Sequence, residues 1–497
     1  MSERYLTILE VSQKQAYIFQ SNELKKNIRN SAVIAWVMDA DYLENTVDDQ
    51  KLFHKKDHLV YSGGGHTVLE FPTKDQAVRV TGILTKAIRS AYPGIEVFAK
   101  TIAYENEKSP AENLKELTKA LERKKSMRRA AFHQGSFGVE EIDTNTLKPI
   151  AYFNGSEEKL PEKEERTDKS LMPAGYHRVF QFKDLGGAKD RSNFIAVVHI
   201  DGNAMGKRVE KLQQKFRELG WTAYKEKLRM FSESIDADFK AAYKEMTEDV
   251  AENIESGRLN ELEINKNNFP VRRIITAGDD ICFVTEGRIG LECAAAFIRR
   301  LGGKKNRVDG ECYAACAGVA IVHQKYPFYK AYELAEMLCS SAKKYGAALS
   351  GDGSGSDISA VDWHIEFGEL KDTLDEVRSG YINADGISVS GRPYMVQASG
   401  TVRNEEPFHS YHKVRELILK LQKDESCAKG TIKELRAVMK QGKAKTEYFI
   451  QFHKIGELIR YDLDDNYQVL FDGIELVDTF IALEKNEEME GRVSFEN

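Results

Sequence analysis

Apolar and polar positions alternate through YLTILEVSQKQAYIF, then shift to a three- and four-residue spacing in NELKKNIRNSAVIAWVMDADYL. The first pattern predicts a strand and the second a helix. HLVYSGGGHTVLEF follows as a hairpin on a glycine turn, TKDQAVRVTGILTKAIRSAY as another helix and IEVFAKTIAY as a closing strand. The plan then returns. NFIAVVHIDGNAMGK opens with a strand, helical spacing runs from about Lys207 to Glu255, and RRIITAGDDICFVTE is a hairpin. RIGLECAAAFIRRLGG follows as a helix, CYAACAGVAIVH as a strand and YKAYELAEMLCSSAKKYG as a further helix. Two stretches with one order of elements constitute an internal repeat.

Between the copies, NGSEEKLPEKEERTDKS is dense in charge and poor in apolar anchors, which predicts an exposed loop at a domain boundary. SGDGSGSD, from Ser350 to Asp357, predicts a turn or flexible loop. After Arg392, VRELILKLQ, TIKELRAVMKQG, YFIQFHKIGELIRY and VLFDGIELVDTFIALEK all carry helical apolar spacing. The expected architecture is α+β, with a first domain over residues 1–108, a linker subdomain over 109–192, a second domain over 193–385 and a helical C-terminal domain over 386–497. Those last helices are expected to dock partners or to brace the two repeats.

Chemistry enters at the second hairpin. Asp279 and Asp280 stand where it must turn, and Gly278 before them suits the tight backbone path. Gly-Asp pairs also serve as ordinary turn residues. IDGNAMGK shifts that balance, because an apolar strand ends there in Asp201 and passes into a small-residue turn and a helix. If that strand lies beside the hairpin, as in a palm-type sheet, the three carboxylates converge on one or two hard cations, Mg or Mn, that keep positions open for substrate phosphates. Gly202, Asn203, Ala204, Met205 and Gly206 lack bulky branched side chains, so their N–H groups and the helix start after them suit a triphosphate, with Lys207 alongside. Lys343 and Lys344 supply either a phosphate-side charge or a solvated helix end favoured by the macrodipole.

Laying the first hairpin over the second puts Gly63-Gly64-Gly65-His66 in the place of Ala277-Gly278-Asp279-Asp280, and Glu10 in that of Asp201. The turn persists and the hairpin acids do not, so no independent catalysis is expected in the first copy. Gly64, Gly65 and His66 are candidates for holding an acceptor nucleotide; the alternative is that the first copy only buttresses the second.

Composition narrows the classes. The 497 residues are 41% hydrophobic and 30% charged, enough for three or four domains. A net charge of −6 gives no overall basic footprint, so any nucleic-acid contact is local. No run of about 18 apolar residues and no signal-peptide pattern is present, which predicts a cytoplasmic protein without membrane contact. Six cysteines (Cys282, Cys293, Cys312, Cys316, Cys339 and Cys427) occur without CxxC pairs and predict buried thiols, with Cys312 and Cys316 on one strand face.

IDGNAMGK, AGDD, CAGVAIVHQKYPFYKAYELAEMLCSSAKKYG, SAVDWH and GRPYMV together resemble the large palm polymerase-cyclase subunit of type III CRISPR effector complexes, most closely over residues 194 to 395. The resemblance implies two ferredoxin-like palms, the second holding a GGDD hairpin, binding Mg or a similar ion and condensing ATP into cyclic oligoadenylates for antiviral signalling. It implies other effector subunits and guide and target RNA as partners. It carries the metal and catalytic roles to Asp201, Asp279 and Asp280, and a phosphate-side role to Lys343 or Lys344. This chain departs from the pattern in three respects: Ala277 replaces the first hairpin glycine, no cysteine ribbon separates the palms, and no HD pair precedes the first palm, so DNA cleavage by such a domain is not expected. Work inside a CRISPR complex and signalling outside one both remain open. So do a diguanylate- or mononucleotide-cyclase activity and a catalytically silent scaffold that binds nucleotide or an RNA–protein complex.

Overall fold

The computed structural model describes residues 4–127 apart from 93, residue 139, 160–187, 193–265 apart from 217, 267–400 apart from 369 and 370, residue 402, 409–423, 428–455 and 463–484. The first repeat forms strands β1 (Tyr5–Ser12), β2 (Leu59–Gly63), β3 (His66–Phe71) and β4 (Glu96–Ala103), an antiparallel sheet in the order β2-β3-β1-β4. The second forms β5 (Phe194–Gly202), β6 (Val271–Ala277), β7 (Asp280–Glu286) and β8 (Ala315–His323), in the corresponding order β8-β5-β7-β6. Both are ferredoxin-like palms. β9 (Ile358–Glu366) adds to β8 in parallel, and β10 (Tyr394–Ala398) adds to β9 antiparallel.

β10 corrects the expectation that the chain turns wholly helical after Arg392, and the second sheet takes a strand from beyond residue 385. The region expected to be helical from about Lys207 to Glu255 is so, in two pieces. It divides into Met205–Lys215 and Trp221–Glu255, with Gly220 as the N-cap of the second. Within the charge-dense linker, 154–159 lie outside the described residues. The remainder is not an exposed loop, since Glu162–Ser170 is a helix. Composition concealed the reason: Asp168 on that helix is buried against Arg272 (2.8 Å), Arg273 (3.2 Å) and Arg178 (3.1 Å). On the opposite side Lys163 pairs with Asp39 and Asp41 of the first palm, so the linker helix straps the two palms together.

The cores interlock. One face of β1 to β3 buries Leu6, Ile8, Val60 and Val68 beneath the Pro110–Ser126 helix and Trp221, Tyr224 and Leu228 of the long helix. The other face continues into a core shared with Val197, Cys282, Val284 and Ala320 of the second sheet. Phe19 of the first palm packs there on Tyr332, with ring centroids 4.1 Å apart. The opposite face of the second sheet joins the Trp221–Glu255 and Gly290–Gly302 helices and the C-terminal helices in one core. Buried polar groups bolt that last layer down: Glu292 meets Tyr411 (2.7 Å) and Arg415 (3.0 Å), and Arg392 meets Asp472 (3.1 Å) and Glu475 (3.0 Å). The C-terminal helices therefore brace the second palm.

Cys282, Cys293, Cys316 and Cys339 are buried and free, as expected, and Cys312 is half-buried. Cys312 precedes β8 in a bridge to Lys305 and shares no strand face with Cys316; Cys427 lies outside the described residues.

Candidate active site

In β5 the apolar alternation ends at Asp201, which faces Asp280 directly across the ladder. On the other side Asp280 pairs with Ala277, leaving Gly278 and Asp279 as a two-residue turn. Gly278 takes φ +67°, the left-handed conformation that the first central position of such a turn requires. Asp279 rests against Gly202, where a Cβ would lie 2.9 Å from the Asp279 Cβ, so glycine is needed there for space. Sheet pairing thus brings the three predicted carboxylates to one end of the sheet.

Their environment is unfavourable for charge. Burial, then the nearby Asp201 charge, pushes the Asp279 carboxyl up to about 6 and the Asp280 carboxyl to about 7. Oδ1 of Asp280 is buried without a hydrogen-bond partner. Behind it, 3.6 Å away, stands Nδ1 of His199, whose pKa burial holds below the ordinary histidine value. Glu336, on the Phe328–Leu349 helix, is also raised, chiefly by burial. Neither His199 nor Glu336 was singled out in the sequence. His199 was detectable, because it lies two residues before Asp201 and so shares its strand face.

Of the two candidate lysines, Lys343 is at the site. Its Nζ lies 2.6 Å from Asp201 Oδ2 and 3.0 Å from the Gly202 carbonyl, and this pairing outweighs the effect of burial and raises its pKa. Lys344 is exposed. Helix packing sets this geometry. Gly318 of β8 lets the helix approach so closely that a Cβ there would lie 1.9 Å from the Ala335 carbonyl oxygen.

The small-residue turn is only partly free for an anion. The Gly202 N–H donates to the Asp279 carbonyl (3.2 Å) and the Asn203 N–H to that of Ala314 (2.8 Å). The Asn203 side chain is buried and donates to the carbonyls of Ile358 (2.7 Å) and Gly355 (3.0 Å). These two residues are anchors rather than phosphate ligands. Ala204, at φ +54°, turns the chain into the Met205–Lys215 helix, whose first amides at Met205, Gly206 and Lys207 have no intrahelical acceptor. Arg208 fixes that helix through two bonds to Asp309 (2.9 and 2.8 Å).

The first palm repeats the geometry without the hairpin acids. Glu10 faces His66 as Asp201 faces Asp280, and Gln13 takes φ +52° where Ala204 takes +54°. Lys125, on the helix after the fourth strand, pairs with Glu10 at 2.9 Å, as Lys343 does with Asp201. A cleft between the palms is lined by Lys14, Gly64 and Gly65 on one side and by Arg273, Ala277, Asp279 and Asp280 on the other. His66 is not in its lining; its Nε2 lies 3.2 Å from the Tyr61 hydroxyl.

The donor set suits a hard cation, although the carboxylates are not a ready-made cage. Among the described residues no three His, Cys, Asp or Glu side chains are gathered to hold an ion, and Asp201 is held by Lys343. Two aspartates with substrate phosphates completing the shell is the arrangement in which Mg is commonly bound.

Fold and site define a tandem-palm protein with carboxylates gathered on the second palm's hairpin. In particular, residues 194–348 match the second palm domain of Cas10/Cmr2. Over nearly its whole length the chain has the fold of Csm1. A crystal structure of Csm1 in T. onnurineus matches with TM-score 0.52 and 15% identity over 97% of this chain and 70% of that one. The apo Csm1–Csm4 cassette gives 0.52 and 13% over 96% and 70%, and the cassette in complex with pppApA gives 0.52 and 12% over 96% and 69%. A comparison with curated proteins finds no sequence match. Among the described residues no helix is long and apolar enough to cross a membrane.

Proposed function

We propose that the chain is a metal-dependent nucleotidyltransferase that joins ATP into cyclic oligoadenylate messengers, working with other subunits and RNA of a type III CRISPR-like effector. The observation that carries this reading is the cleft in which Asp279 and Asp280 of one palm face the glycine turn of the other. Two nucleotides can meet there, one on each palm. The likeness to the Csm1–Csm4 cassette, which is described in complex with pppApA, supports the substrate class.

Asp279 and Asp280 supply oxygen donors at the hairpin, and Asp201 a third on the adjacent strand. A divalent cation, when bound, supplies charge that neutralises phosphate oxygens and favours ionisation of the attacking hydroxyl. The amides of Met205, Gly206 and Lys207 receive phosphate oxygens at a helix start. Lys343 holds Asp201 in place and sets a positive charge beside the phosphate path. Gly64 and Gly65, at φ +58° and +78°, let the acceptor nucleotide approach the backbone closely, which contributes through positioning.

The pairing of Asp201 with Lys343, which occupies one of the three carboxylates, favours one second reading, a scaffold that binds nucleotide without chemistry. Incubating the full chain with each labelled nucleoside triphosphate and Mg or Mn, with and without target RNA, separates the two. Oligoadenylates formed from ATP support synthesis. Binding without consumption under every condition leaves the scaffold.

A further inference from the structure

Two cationic side chains line the inter-palm cleft, and they differ in what they are bound to. Arg273 is committed: Nε lies 3.2 Å from Asp168, Nη1 2.7 Å from the Thr276 hydroxyl and Nη2 3.6 Å from Glu164. Lys343, outside the lining, is committed to Asp201. Lys14 has no ion pair among the described residues; its ammonium donates to the Gly64 carbonyl. A lysine ammonium has three donors, so two remain.

The side chain does not extend into solvent as an ordinary surface lysine would. It lies across the first palm's turn, so that a Cβ on Gly65 would meet Lys14 Cδ at 2.6 Å and Nζ at 3.2 Å. Glycine at 65 therefore keeps the path open for this side chain. From there the Lys14 charge acts on Asp280 of the opposite palm. The repeat makes the position informative. Counting from Glu10 and Asp201, through the left-handed residues Gln13 and Ala204, Lys14 is the counterpart of Met205. The backbone at this point does not require a cation, since the second palm builds the same turn with methionine.

We propose that Lys14 is a phosphate-binding residue that the first palm lends to the second palm's site, seating a phosphate of the nucleotide held between the Gly64-Gly65 turn and the Asp279-Asp280 hairpin. This rests on reading the cleft as a nucleotide site. Lys14 is then the charge that the first palm, lacking hairpin acids, adds to the binding made by its glycine turn.

The test is calorimetric titration of the full chain with a non-hydrolysable ATP analogue and Mn. Lys14→Met, which copies the second palm, is expected to weaken binding about tenfold, the loss of one charge-assisted hydrogen bond. The dependence of affinity on salt falls with it, and the melting temperature stays at the wild-type value. Lys14→Gln keeps a donor for Gly64 without the charge and is expected to bind as poorly as Lys14→Met, whereas Lys14→Arg recovers most of the affinity. Wild-type affinity in a folded Lys14→Met or Lys14→Gln variant overturns the assignment and leaves the nucleotide site standing. A wild-type chain that binds no triphosphate with Mn overturns both.

Discussion

Alanine at Gly318 would place its Cβ 1.9 Å from the Ala335 carbonyl oxygen and 2.4 Å from the Cys339 amide nitrogen, both backbone atoms of the Phe328–Leu349 helix. Real Cβ atoms essentially never approach closer than 3.0 Å, so helix and sheet must separate by about 1 Å at this crossing. The same helix carries Lys343, whose 2.6 Å bond to Asp201 is too short to survive such a shift without rearrangement. Overpacking of this kind costs about 1–3 kcal/mol, and for a domain of this size each kcal/mol lowers the melting temperature by about 2–4 °C. Gly318→Ala is therefore expected to melt several degrees lower and to lose nucleotide turnover at least as much as Lys343→Met loses it, because the whole helix that seats Lys343 against Asp201 moves. Thermal melting and turnover of labelled ATP, measured side by side, test this. A Gly318→Ala protein with wild-type melting and turnover would refute the reasoning, since the helix would then have another way to seat over β8.

Asp201→Asn and the double variant Asp279→Ala with Asp280→Ala are each expected to lower product formation at least about a hundredfold with an unchanged far-ultraviolet spectrum; turnover in a folded double variant would place the chemistry elsewhere. Because the Asp279 and Asp280 carboxyls sit at about 6 and 7, the metal-free fold holds protons that its unfolded chain has released. Its stability should therefore fall as pH rises from about 4 through 7. Divalent cations must displace those protons, so Mn affinity should climb between pH 5.5 and 7.5, about the span of the two groups, and level off above, with proton release seen by calorimetry in buffers of different ionisation heat. Asp168→Ala leaves three guanidinium groups without their shared carboxylate and should cost about 3–5 kcal/mol in urea unfolding. The same carboxyl is held below its usual range, with Arg272 and Arg273 outweighing burial, so the wild type loses that contribution as pH falls through the acid range.

The repeat and its acids were legible because a change of period from two to about 3.6 marks each element, and because acids at an apolar strand end are conspicuous. What stayed hidden depends on partners distant in sequence. Asp168 stands in a run of charges, and nothing local separates it from its solvated neighbours; only Arg272 and Arg273, more than 100 residues on, make it a core residue. β10 is five residues long, too short for its alternation to outweigh the helical spacing around it. Lys343 and Lys344 could not be told apart until the close approach at Gly318 fixed which helix face meets Asp201. Glycine spacing suggested that the Gly202–Gly206 amides were available, whereas sheet pairing had already used two of them.

The long helix changes what the duplication means. Trp221, Tyr224 and Leu228 roof the first sheet, while Phe239, Tyr243 and Met246 on the same helix belong to the core of the second. Arg229 between them bonds to the carbonyls of Leu59 and Val60 on the edge strand β2. The two palms therefore cannot be separated or shuffled as independent cassettes. A chain cut at residue 192 keeps the Pro110–Ser126 helix but leaves the first palm without the rest of its roof and with a bare strand edge, and a ribosome that has finished the first palm must still translate through residue 229 before that palm can close.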